Sequence, residues 1–192
     1  MIELFNYLSG FSKQKTYQKL LVSPTSLRKK FIFLINREIE NAKKGKKSEI
    51  IAKMNSLVDP EIIQLLYLAS QTGVKINLII RGICCLYPQR KNLSENISVI
   101  SIIGHFLEHS RIFWFFNNND SEVCIGSADW MRRNLDRRIE AVTPIEDLEL
   151  KSQLYDLLQT YIHDNYYSWV MNKDGTYAVS YTHLTLPTNR EV

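Results

Sequence analysis

Glu49-Ile50-Ile51-Ala52-Lys53-Met54-Asn55, Asp59-Pro60-Glu61 and Val74-Lys75-Ile76-Asn77-Leu78-Ile79-Ile80 are three pieces of one short stretch, and together they decide the fold. The first is apolar enough to be a short buried strand. Asp59 then offers a capping carboxylate, Pro60 suits a first helical position, and Glu61 places an acid in the first turn. Ile62, Leu65, Leu66 and Ala69 supply the apolar stripe of a helix, and Gly73 stands where such a helix closes. Residues 74–80 are a second strand. Strand, helix and strand with links this short form a βαβ unit, whose two strands run parallel.

That topology predicts where a ligand would sit, because open α/β sheets bind beyond the carboxyl ends of their strands. Lys53 and Asn55 leave the end of the first strand, and Arg81 leaves the end of the second, just before Gly82. Two cations and an amide converge on one edge. Taken singly, each is as readily a surface residue beside a loop.

Outward from this unit the pattern stays α/β. Upstream, the segment to about Lys19 predicts a short helix and a loop. Ser23-Pro24-Thr25-Ser26 offers capping hydroxyls to a helix whose buried face is Leu27, Phe31, Leu34, Ile35, Ile39 and Ala42 and which Gly45 ends. The basic run Lys43, Lys44, Lys46 and Lys47 reads as a solvated helix end favoured by the negative dipole terminus. Downstream, residues 88–96 are loop-like and Ile97 to Ile103 predicts a strand. His109 through Phe116 and Glu122 through Gly126 predict a hairpin about the turn Asn117-Asn118-Asn119-Asp120. A strand from Arg138 to Thr143, ended by Pro144, and a helix from about Asp147 to His163 complete the series. The fold class expected is α/β, with a mixed, partly parallel sheet flanked by helices.

Composition sets outer bounds. The 192 residues are 45% hydrophobic and 23% charged, which suits one globular domain, and the net charge of +4 leans only mildly toward anionic partners. Cys84, Cys85 and Cys124 lack metal-ligand spacing and read as reduced thiols. No apolar run approaches the ~20 residues of a membrane-spanning helix. Met1 to Leu8 lack the marks of a signal peptide and resemble the middle of a protein, so a cytoplasmic location is expected. After Tyr177 core periodicity is lost; residues 1–177 are read as the domain and 178–192 as a non-native tail, with His183 set aside.

The hairpin carries the chemistry. With residues 117–120 as the turn, Phe116 faces Ser121 and His109 faces about Ala128, which sets His109-Ser110-Arg111 beside Gly126-Ser127-Ala128-Asp129. Arg132, Arg133, Asn134, Asp136, Arg137 and Arg138 follow Trp130 closely. Arginine forks match phosphate, and phosphoryl transfer depends chiefly on positioned charge. A histidine there can donate to phosphate or act as acid, base or nucleophile near neutrality. A lone histidine at a strand start is more often structural, and His105 and His163 carry still less functional signal.

His-x-basic, strand, turn, strand and Gly-Ser-x-polar resemble the HKD motif of the phospholipase D superfamily. The departures are Arg111 for lysine, a missing downstream aspartate, a longer hairpin, and Asp129 for asparagine. Residues 51–60 (IAKMNSLVDP), 80–86 (IRGICCL), 107–111 (LEHSR), 126–131 (GSADWM) and 133–138 (RNLDRR) are together similar to the polyphosphate kinase family.

This resemblance implies a phospholipase D-like domain, the second of a pair, in an enzyme that reversibly moves the terminal phosphate of ATP to polyphosphate. It implies nucleotide contacts by Arg81 and His109; on that basis His109 is expected to act catalytically on the phosphoryl group, and Lys53, Asn55, Arg111, Arg133, Asn134 and Arg138 are second-tier candidates for a phosphate path. Magnesium, its associated arginines and the phosphorylated histidine belong to upstream domains that this chain does not match, so no metal ligand is assigned here. ATP, ADP and polyphosphate are the expected partners, together with those upstream domains, in a homo-oligomeric enzyme that is cytoplasmic or membrane-associated. No nucleic acid is expected. The alternatives are a phospholipase D-type hydrolase and a non-catalytic anion-binding or oligomerisation module.

Overall fold

The computed structural model describes residues 2–11 and 17–179. In chain order the elements are α1 (Ile2–Leu8), β1 (Leu21–Val22), α2 (Leu27–Lys43), β2 (Glu49–Met54), α3 (Pro60–Gln71), β3 (Lys75–Ile80) and β4 (Ile97–Ile102). There follow β5 (Ile112–Phe115), β6 (Glu122–Gly126), α4 (Arg132–Asp136), β7 (Ala141–Ile145), α5 (Leu148–Ile162), β8 (Ser168–Met171) and β9 (Tyr177–Val179). All the strands join one sheet in the order β1-β7-β6-β5-β2-β3-β4-β8-β9. β2, β3 and β4 are mutually parallel at its centre, and the pairings outside this trio are antiparallel. The mixed sheet expected from the βαβ reading is therefore present.

Burial explains the centre. Every residue of β2 is buried, as befits a parallel strand covered on both faces. On one face Leu27, Phe31, Leu34 and Ile35 of α2 and Ile62 and Leu66 of α3 pack onto the sheet. Phe31, Phe113 and Trp130 meet there, with the Phe113 and Trp130 rings stacked at 5.3 Å. The opposite face is smaller, built from Ile51, Ile79, Trp114 and Val123 under Leu158 of α5.

Asp59 caps α3 as its position implied, accepting from the Ile62 amide at 3.1 Å. Asp59 also anchors Arg28 of α2. That guanidinium donates to Asp59 at 2.5 and 3.0 Å, to Glu61 at 2.8 Å and to Asp136 at 2.6 and 2.7 Å, stitching α2, α3 and α4 together.

Several local expectations are corrected. Ser26 makes no side-chain cap for α2; its hydroxyl is spent on the backbone of Val22 instead. Pro144 lies within β7, opposite Cys124, rather than ending a strand. It is tolerated because β1 pairs only with Ala141 and Val142, leaving Pro144 on a free edge where no donor is needed. β1, β8, β9 and α4 were not anticipated. Ala178 and Val179, expected in the tail, pair with Val170 and Trp169 of β8. Residues 180–192 lie outside the described residues.

Candidate phosphate-binding site at the strand ends

The hairpin register is as read: Ile112 pairs with Ile125 and Phe115 with Glu122, so continuation brings His109 opposite Ala128. The ladder, however, stops at Ile112, and residues 109–111 lie outside the strand. The reason is a cation from another strand. Lys53, on β2, is 2% exposed, and its ammonium donates to the Ser110 hydroxyl at 2.9 Å. It also reaches the backbone carbonyls of Glu108 and Ser110 at 3.5 and 3.4 Å, and lies 3.5 Å from the Glu108 carboxylate. The chain is drawn toward Lys53 on both sides of His109.

Lys53 is costly to bury. Desolvation lowers its pKa against the pull of Glu108, with Arg81 and Arg111 adding to the lowering. The Tyr161 ring lies 4.8 Å from its ammonium, and the Tyr161 hydroxyl donates to Glu108 at 2.7 Å. Burial first, and then Glu108, push the Tyr161 phenol up to about 12. Lys53 thus acts as a bracket behind the site.

In front of that bracket three side chains converge. Arg81, following β3, donates to the Asn55 side-chain oxygen through Nε at 3.1 Å and Nη2 at 2.8 Å. His109 Nδ1 lies 3.1 Å from the same oxygen and 3.5 Å from Arg81 Nη2. Among the described residues, no carboxylate pairs with Arg81. The exposed His109 ring and the half-buried Arg81 guanidinium therefore stand side by side at the carboxyl ends of the parallel strands, with Arg81 as the cation of this rim.

Behind them runs a buried polar chain. The Asn55 amide group donates to Asp129 Oδ1 at 3.1 Å, and the Asn55 backbone N–H donates to it at 2.9 Å. Arg111 donates to that oxygen at 3.0 Å and to Oδ2 at 3.5 Å. Asn134 accepts from the Asp129 amide at 3.3 Å and donates to Glu140 at 2.7 Å.

The sequence-derived candidates therefore separate into layers. Arg81, His109 and Asn55 meet. Lys53, Arg111 and Asn134 are spent on internal partners one layer back, so they do not line an open path as expected. Arg133 and Arg138 are exposed, and among the described residues no side-chain contact ties them to Arg81 or His109. Glu108, Tyr161 and Glu140 were missed. Tyr161 belongs to a helix remote in sequence, and nothing in its spacing marks a partner for Glu108.

The loops that follow β2, β3 and β6, and so carry Asn55, Arg81 and Asp129, are laced together beyond the sheet. Leu57 donates its N–H to Ile83 at 2.9 Å and accepts from Cys85 at 2.9 Å. Val58 and Asp59 both donate to the Trp130 carbonyl at 3.0 Å. Gly82 sits tight against this lacing: a Cβ there would come within 2.9 Å of the Asn55 carbonyl oxygen.

Among the described residues, no helix is long and apolar enough to cross a membrane, and no group of three or more His, Cys, Asp or Glu is placed to hold a metal. The profile of the family described as polyphosphate kinase C-terminal domain 2 matches residues 20–188. A polyphosphate kinase from Prochlorococcus marinus (strain MIT 9313) is 64% identical over 177 residues, covering 92% of this chain and 25% of that protein. The crystal structure of polyphosphate kinase from Porphyromonas gingivalis superposes with a TM-score of 0.91 at 40% identity, covering 95% of this chain and 28% of that one. Nuc from Salmonella typhimurium, a phospholipase D family member, superposes at 0.53 with 18% identity over 75% of this chain and 92% of its own, a likeness of fold alone. The chain spans about a quarter of the length of the curated relatives it matches.

Proposed function

Because the chain belongs to the polyphosphate kinase C-terminal domain 2 family, we propose that it supplies one wall of a polyphosphate kinase active site, the wall that grips nucleotide phosphate. The observation that carries this reading is the convergence of Arg81 and His109 on a neutral amide oxygen. An arginine whose partner is uncharged keeps its positive charge for an incoming anion. Arg81 holds phosphate oxygens, and His109 hydrogen-bonds or protonates the phosphoryl group in transit.

The residues at this rim do not make a magnesium site. Of the carboxylates around it, Asp129 has its oxygens spent on Arg111 and Asn55, and Glu108 is engaged by Tyr161 and Lys53. Magnesium ligands, the histidine that carries phosphate, and the rest of the ATP and polyphosphate contacts are assigned to the remainder of a cytoplasmic, homo-oligomeric enzyme.

The hydrolase alternative is weakened by Arg111. It occupies the place of the HKD lysine but is only 14% exposed and paired with Asp129, so it is not offered to a phosphodiester. Residues 178–192 as a non-native tail stay a proposal, and the family match, which runs to residue 188, counts against it for most of that segment.

The half-site reading has a direct test. The purified chain, incubated with labelled ATP and magnesium, should form neither acid-labile phosphoprotein nor polyphosphate, because members of a preorganised site act as a unit. Robust formation of either product would make His109 itself the nucleophile and overturn the reading.

A further inference from the structure

The Asn55 carboxamide has only one orientation compatible with its neighbours. Its Nδ2 faces Asp129 Oδ1 at 3.1 Å, and its Oδ1 faces Arg81 Nε and Nη2 at 3.1 and 2.8 Å. Turned over, the amide would set N–H against two permanent arginine donors and oxygen against a carboxylate. Arg111, which itself holds Asp129 at 3.0 Å, fixes the far end of the chain. Asn55 is 7% exposed, so water does not relax the arrangement.

A fixed oxygen dictates the histidine. An amide oxygen cannot donate, and it lies 3.1 Å from His109 Nδ1. A bare Nδ1 would place two lone pairs face to face, so Nδ1 must carry a proton and donate it to Asn55. Arg81 Nη2 gives one N–H to Asn55 at 2.8 Å; its second could reach a bare Nδ1 only at 3.5 Å, a longer and weaker contact than the 3.1 Å between Nδ1 and the Asn55 oxygen.

We infer that Asn55 is a positioning residue that locks neutral His109 in the Nδ1–H tautomer and leaves Nε2 as the nitrogen with a free lone pair. The consequence for catalysis rests on the phosphate-gripping reading: Nε2 is then the atom presented to the phosphoryl group, while Arg81 and His109 are held in register by one shared acceptor. The lock also explains why an amide, rather than a carboxylate, stands here. A carboxylate would neutralise Arg81, whereas the amide orients both groups and leaves that charge available.

The test reads the tautomer directly and involves no ATP, so its failure and the failure of the phosphotransfer reading are distinguishable. Histidine ring nitrogens of the uniformly labelled 192-residue chain are recorded by long-range proton–nitrogen correlation above the His109 titration midpoint. The His109 signals are assigned by their loss in His109→Gln. The expected pattern has a pyrrole-type Nδ1 and a pyridine-type Nε2, against the intrinsic preference of free imidazole for the opposite form. An Nε2–H pattern would overturn the inference. In Asn55→Ala, shown to be folded by its amide spectrum, His109 should revert to the mixture dominated by Nε2–H; persistence of Nδ1–H would remove Asn55 as the cause. If that variant does not fold, the wild-type chain still decides, since absence of a one-bond proton–nitrogen signal at His109 Nδ1 would equally overturn the assignment.

Discussion

Arg28 and Arg81 are both partly buried arginines beside the βαβ unit, yet their surroundings differ in one decisive respect. Arg28 is enclosed by Asp59, Glu61 and Asp136, and its pKa is raised first by the hydrogen bonds of Asp59 and Asp136. Its donors and its charge are consumed. Arg81 lies against an amide oxygen and a histidine, so its geometry is fixed while its charge is not cancelled. The lesson is that an arginine's role is read from the charge of its partners rather than from its burial. Three carboxylates make a rivet, and one neutral acceptor makes what is proposed to be a receptor.

The largest effect that would sharpen this contrast is on stability. Asp59→Ala removes the α3 cap and the best-buried partner of Arg28, and should cost about 3 kcal/mol, measured by urea unfolding. Arg81→Ala in the same assay should change stability by under about 1 kcal/mol, because it breaks no ion pair. If the two variants were equally destabilised, the distinction between rivet and receptor would fail.

The next effect belongs to the receptor. In a full-length enzyme carrying this domain, Arg81→Ala should weaken ATP use tenfold or more, since a charge-assisted hydrogen bond is worth roughly 1.5–3 kcal/mol. His109→Gln should lower turnover more than nucleotide affinity, because glutamine can donate but cannot carry the proton. Arg28→Ala should leave kcat/KM of the folded fraction unchanged. Wild-type kinetics in both site variants would sink the assignment.

A smaller effect concerns acid. Burial pushes the Asp59 carboxyl upward, but the Arg28 and Ile62 hydrogen bonds outweigh it and hold it below the usual carboxylate value. With the folded pKa depressed, its stabilisation is complete above the unfolded value of about 3.9 and is lost as pH falls through the folded one. Asp59→Asn should therefore flatten the acid limb of the stability profile below about pH 4. An unchanged limb would show that other carboxylates dominate it. The smallest effect expected is weak binding of ATP by this chain alone. It should fade as salt screens the rim, be absent in Arg81→Ala, and survive in Arg28→Ala.

Much of this was legible in the sequence because it is local. The Asp59-Pro60-Glu61 start of α3, the parallel pair β2 and β3, and the hairpin register all follow from neighbours within a few residues. What failed was decided at long range. β5 begins at Ile112 rather than His109 because Lys53, 57 residues before Ser110, draws that segment away. β1, β8 and β9 are two to four residues long, too short for periodicity to register. At the site, Arg81 and His109 were legible as chemistry-bearing types. The retreat of Lys53, Arg111 and Asn134 into internal partnerships was not, since spacing does not reveal whether a polar side chain is already engaged.

The lacing of Leu57, Ile83 and Cys85, and of Val58 and Asp59 onto Trp130, has a thermodynamic consequence. These bonds fix the loops after β2, β3 and β6 relative to one another before any anion arrives. At Arg81 and Asn55 an anion would therefore meet side chains whose backbone has little conformational freedom left to lose, so less of the entropic cost of association falls on these loops. On the proposed reading this part of the wall is a passive anvil, and the unlaced segment of residues 104–110, which carries His109, is where movement within the chain would be felt first.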